Sequence, residues 1–181
     1  MKKSLTKAHQ VHKGIINGQG IQEFSKDKLG LSTYARAGCC PIATYNVMQL
    51  LGKEMTLGQI ADQYMGGPCG CILFGIFGCG PWNTARFLRR HLGKGKYHGF
   101  LKVKNLEQAA KDGDIVIFYM MNHRYRISRG FHCIAGRCRK GQFELFNVYN
   151  NSARPWYYPT LSQKAREGHF VYGFLIRPEE N

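Results

Sequence analysis

The chain has 181 residues, 44% of them hydrophobic and 13% aromatic, which suits one domain with a sizeable core and excludes a disordered chain. Lys and Arg number 26 against 11 Asp and Glu, a net charge of +15 that favours anionic partners. The basic residues are scattered and no nucleic-acid-binding signature accompanies them, so nucleic acid is not an expected partner.

Residues 1–30 are polar and glycine-punctuated and predict no firm element, only a loosely ordered arm ahead of a single domain spanning 1–181. The stretch from Met1 to His9 starts basic but has no apolar run behind it, so no secretory signal is read there. The most apolar tract, 70–80, is too short and too broken by glycine to span a membrane. The expectation is cytoplasmic residence, or export by a route that needs no N-terminal signal. Seven cysteines leave at least one unpaired. Without a signal peptide a disulfide framework is not expected, and packing, metal binding and catalysis remain as their uses.

Pro41 to Leu51 reads as a helix, with Pro41 in the first turn, Ala43, Val47, Leu50 and Leu51 on one face, and Gly52 as the stop. Thr56-Leu57-Gly58-Gln59 has the form of a capping box and predicts a second helix, broken at Gly66-Gly67-Pro68. Cys69 to Gly80 is a glycine-rich apolar loop. A third helix runs from about Pro81 to Leu92, and a short one starts near Asn105. The pattern then changes. Asp114 to Met121 is a continuous apolar run fit for a buried strand; Phe131–Cys138 and Gln142–Phe146 form a hairpin; His169–Ile176 is the last strand. Helices first and antiparallel strands afterwards give an α+β domain.

Three residues in this order carry chemistry. Cys39, in Gly38-Cys39-Cys40-Pro41-Ile42-Ala43, stands at a helix N-terminus. His132, in Gly130-Phe131-His132-Cys133, stands at a strand start. Asn147, in Leu145-Phe146-Asn147-Val148-Tyr149, follows on the next strand. A thiol attacks a carbonyl as the thiolate, and its ordinary pKa of about 8.5 is lowered by a helix dipole and by an imidazolium. Cys39 is expected to feel both, with His132 as base and then acid. Opposed residues in a hairpin have a constant sum of positions. A turn centred on Arg139-Lys140 puts His132 opposite Asn147. One centred on Lys140-Gly141 puts them diagonal on the same face, and an unbulged three-residue loop puts them on opposite faces. Two of these registers bring the Asn147 amide to the imidazole, where it would fix the tautomer. Asn150 is a less favoured rival for that role. Cys69, Cys71 and Cys79 are a weak metal candidate, lacking paired zinc spacing. His91 and His98 read as solvated surface groups.

Gly38-Cys39-Cys40-Pro41-Ile42-Ala43, with Tyr45-Asn46 and Leu50-Leu51-Gly52, resembles the nucleophile segment of bacterial papain-like cysteine peptidases. The branch it looks most like is the double-glycine, bacteriocin-processing peptidases and their stand-alone relatives. The segment from His132 to Asn147 is similar to the later part of that pattern. The resemblance implies a papain-like fold, with N-terminal helices packed on a C-terminal antiparallel sheet. It implies amide or peptide hydrolysis by Cys39, His132 and Asn147 on a peptide or protein substrate, without cofactor or metal. Acyl transfer or deamidation by the same thioacyl chemistry, and a non-catalytic peptide-binding domain, are the alternatives. Two departures stand out. Cys40 replaces the glycine of the family's Cys-Gly-Pro. No Gln lies a few residues before Cys39 to complete an oxyanion hole, Gln22 being the nearest upstream.

Overall fold

The computed structural model describes residues 6–65, 79–122 and 130–178. A short helix α1 (Lys7–Gln10) is followed by a small ladder of β1 (Lys28–Leu29) and β2 (Ser32–Thr33). Helices α2 (Tyr34–Ala37), α3 (Cys39–Leu50), α4 (Leu57–Met65) and α5 (Pro81–Leu92) come next. Then follow β3 (Tyr97–Phe100), α6 (Val103–Ala109), β4 (Ile115–Met121), β5 (Phe131–Arg139), β6 (Gln142–Phe146), β7 (Trp156–Tyr158), α7 (Leu161–Ala165) and β8 (His169–Ile176).

The predicted capping box forms. Gln59 N donates to Thr56 Oγ1 at 3.1 Å and Thr56 N donates to Gln59 Oε1 at 2.8 Å, so two orphan donors at the start of α4 are satisfied reciprocally. Thr56→Ala is expected to cost about 1 kcal/mol, read from the denaturation midpoint at unchanged m-value. Among the described residues no helix is long and apolar enough to cross a membrane.

The strands from β3 to β8 form one antiparallel sheet in the order β3-β8-β4-β5-β6-β7, which makes the domain α+β. β4 explains the architecture. Ile115, Ile117 and Tyr119 face the core shared with α3, α4 and α5, while Val116, Phe118 and Met120 face a second core shared with α6 and α7. A central strand covered on both faces needs the continuous apolar run seen in the sequence.

The β5–β6 hairpin pairs Ala135 with Phe146 and Arg139 with Gln142, so its turn is centred on Lys140-Gly141. Lys140 has φ 52° and Gly141 φ 72°. Two successive positive φ values define the turn whose twist matches the strands, and it is cheapest with glycine second. Chain geometry thus selects the diagonal register over the directly opposed one.

Residues 6–30 differ from the predicted arm. Ile16, Asn17, Gln19, Phe24 and Leu29 are buried. Ile16 N donates to Asn46 Oδ1 at 2.8 Å, and Asn46 Nδ2 donates back to Ile16 O at 2.9 Å. Polar side chains hold this segment through reciprocal amide pairs, and hydropathy patterning does not register those. Residues 1–5 lie outside the described residues.

Candidate functional site

Cys39 is the first residue of α3, and Gly38 precedes it for a steric reason: a Cβ there would collide with the Tyr34 carbonyl oxygen. The two adjacent thiols part company. Cys40 is buried, its Sγ 3.0 Å from Tyr119 OH and 3.4 Å from Thr84 Oγ1. Those groups continue a polar chain through Tyr64 OH to Thr44 Oγ1. Cys39 is only partly buried. The main-chain N–H of Cys133, the neighbour of His132, is near enough to favour the Cys39 thiolate, as are those of Cys39 and Cys40.

This contact depends on where the β5–β6 ladder stops. Pairing ends at Ala135 and Phe146, and Asn147 leaves the strand in the left-handed region at φ 56°. Alternation along β5 turns Cys133 towards α3 and places His132 on the same face as Ile134 and Met120. Cys133 and His132 stand on opposite faces of β5, at the strand end where β6 has left the ladder, so the Cys39 thiol and the imidazole do not share one face of the sheet. No hydrogen bond links Cys39 and His132 to each other among the described residues.

His132 and Asn147 do meet, by a different atom from the one expected. His132 Nε2 lies 2.6 Å from the main-chain oxygen of Asn147. A carbonyl only accepts, so Nε2 carries the proton and Nδ1 keeps its lone pair. The Asn147 amide is turned the other way: Oδ1 accepts from Gln19 N at 3.0 Å, and Nδ2 donates to Gln19 Oε1 at 2.9 Å. Asn147 N donates to Asn17 Oδ1 at 2.9 Å. The Asn147 side chain thus anchors the turn, and the turn's carbonyl orients the ring. Asn150 is exposed and donates to Ala35 O at 3.2 Å, away from the imidazole.

Gln19 was not singled out by the sequence reading, because it lies twenty residues ahead of Cys39 in an unpatterned stretch. Its Nε2 donates to Ala35 O at 3.0 Å and its Oε1 is taken by Asn147, so both ends of its amide are in use. It braces the site through one Nε2 hydrogen and its Oε1. Nothing local in the sequence marks it; only the paired burial of two distant amides does.

The electrostatics also differ from the expected ion pair. Burial pushes the Cys39 thiol up to about 12, Cys40 beside it adds to the rise, and the three main-chain N–H groups only partly oppose this. Burial lowers the His132 pKa; the Asn147 carbonyl acts against the shift and the Lys164 charge adds to it. Desolvation outweighs the helix dipole because, among the described residues, neither group has an ionised partner of opposite sign. At neutral pH the thiol and the imidazole are therefore both neutral.

A sign follows for pH. His132 in the unfolded chain takes its proton near 6.5, while in the folded chain it takes it lower. Below pH 6.5 the unfolded state therefore binds more protons, and stability falls as the pH falls. The His132 NMR titration is expected to show a midpoint under 6.5, and His132→Gln to flatten the acid-side loss of stability.

No family model matches this chain, and no curated protein matches it. The remaining candidates add little. Cys79 is disulfide-bonded, contrary to the expectation for the cysteines, and its partner lies outside the described residues, as do Cys69 and Cys71. Cys39, Cys40, Cys133 and Cys138 are free thiols. His91 is not the solvated group expected: its Nε2 lies 2.9 Å from Gln63 Oε1 and its ring packs on Phe87 at 4.4 Å. His98 is exposed.

Proposed function

We propose that this protein is a thiol-dependent amide hydrolase acting on peptides, with a papain-like arrangement of Cys39, His132 and Asn147. One observation carries the reading. The Asn147 carbonyl fixes the proton on His132 Nε2, which leaves Nδ1 as the basic atom one residue along β5 from where the Cys39 sulfur is seated. The resemblance of the Cys39 segment to the bacterial peptidases points the same way.

Because both groups rest neutral, His132 acts as a general base and not as half of a standing ion pair. Nδ1 takes the Cys39 proton as sulfur attacks the amide carbon. The ring returns that proton to the departing amine, leaving a thioester and a neutral imidazole. Water, deprotonated by the same ring, releases the acid and restores the thiol. The developing oxyanion accepts from main-chain donors, the Cys39 N–H at the opening of α3 first among them.

A second reading, a papain-like domain that binds peptide without turnover, is favoured by the raised pKa of the Cys39 thiol. Iodoacetamide and a fluorogenic peptide library separate the two. Hydrolysis that disappears as Cys39 is carbamidomethylated supports the enzyme. Cys39 inert to iodoacetamide from pH 6 to 9.5, with no peptide cleaved, leaves the binding domain.

A further inference from the structure

A cleft of about 660 Å³ opens between α6, α7 and the start of β8. Four basic side chains line it, Lys102, Lys104, Arg166 and His169, and none of its described lining residues is acidic. Phe170 contributes to its apolar floor, and Ser162 lines it with an Oγ that finds no hydrogen-bond partner. The two nearest acids are already engaged. Glu107 Oε2 accepts Ser162 N at 2.9 Å. Glu167 holds the buried Lys164 ammonium at 2.5 Å and accepts from Tyr149 and Tyr158. Lys164 offsets the Glu167 charge, and the cleft's own lining carries only basic side chains.

Strand register ties this cleft to the proposed site. Met120 pairs with His132 on one side and with Phe170 on the other. Cross-strand partners share a face, so Phe170 and His132 lie on one row of one face, two strand spacings or about 10 Å apart. That is the span of about three residues of extended peptide. A chain with its scissile amide at Cys39 and His132 can therefore lay a neighbouring residue over Phe170.

We infer that this cleft is a specificity subsite for an acidic side chain, Asp or Glu, a few residues from the cleaved bond. The inference rests on the amide-hydrolase reading and names its substrate class. The carboxylate sits among the basic side chains, while its aliphatic stem lies on Phe170. A cluster of cations favours the carboxylate over the isosteric amide, because the amide brings no counter-charge.

The test is binding, read by fluorescence anisotropy at 150 mM salt with the full chain. Two fluorescein-labelled Gly/Ala decapeptides are used, one carrying two adjacent Glu and the other two adjacent Gln. The Glu peptide should bind the tighter. Lys104→Glu and Arg166→Glu, both at exposed positions, should each weaken it about tenfold and leave the Gln peptide unchanged. Lys53→Glu, in a different cleft, should change it less than twofold, since surface charges are screened over about 8 Å. Equal losses in all three variants would mean that the diffuse +15 charge does the binding, and equal affinity for the two peptides would mean that no carboxylate is recognised; either result overturns the inference. Hydrolysis is scored separately. Cleavage without Glu selectivity sinks the subsite alone, and Glu-selective binding without Cys39-dependent cleavage sinks the hydrolase reading alone.

Discussion

Cys39→Ser should reduce peptide hydrolysis by about 10⁴-fold or more while leaving the melting temperature within roughly 2 °C of the parent. The loss is chemical. A hydroxyl is a far weaker acid than a thiol, and the thiol here is already pushed up by burial, so His132 has no margin with which to deprotonate serine. The small stability change follows from position: Cys39 is partly exposed at the first turn of α3, and oxygen for sulfur is nearly isosteric. Cys40→Ser is the control. Its hydroxyl would stay in the buried chain with Tyr119 and Thr84, and most activity should remain. Mass spectrometry after iodoacetamide treatment, beside kcat/KM for both variants, checks the pair. Equal activity in wild type and Cys39→Ser would remove the nucleophile assignment.

Why the elements were legible and the orienting contact was not comes down to range. The capping box at Thr56 and Gln59, the apolar run at 115–121 and the strand at 142–146 are local patterns, and each forms where its residues predict. The two-residue hairpin turn was narrowed to a few registers, and only the glycine requirement at Gly141 separates them. The missed strands are edge strands. β3 carries a glycine and no clean alternation, and β7 is three residues long after a proline. Asn147 was placed beside His132, but which of its atoms faces the ring depends on Gln19, more than a hundred residues away. No local period encodes a pairing of that range. The pKa directions were missed for a related reason. A helix N-terminus is visible in sequence, whereas the depth at which a sulfur is buried is not.

Asn147→Ala should therefore be costly for the fold as well as for catalysis. It leaves Gln19 N and Gln19 Oε1 buried without partners, at about 1–3 kcal/mol each. It also forces alanine into the left-handed region at φ 56°, at about 1 kcal/mol. The sum is about 3–7 kcal/mol, or roughly 10–20 °C in a chain of this size. Asn147→Gly removes the backbone strain but not the orphaned amide, and should recover about 1 kcal/mol of it. In both variants the main-chain carbonyl remains, yet the turn that aims it loses its anchor. The ¹⁵N shifts of His132 should then move from a single Nε2–H tautomer towards a mixture, and kcat should fall more than KM rises. Gln19→Ala removes the other half of the same pair. Its effect on the tautomer should match that of Asn147→Ala, and the double variant should add little to either. A ring that keeps one tautomer in all four variants, with stability within about 1 kcal/mol of the parent, would show that the Gln19–Asn147 pair does not aim His132.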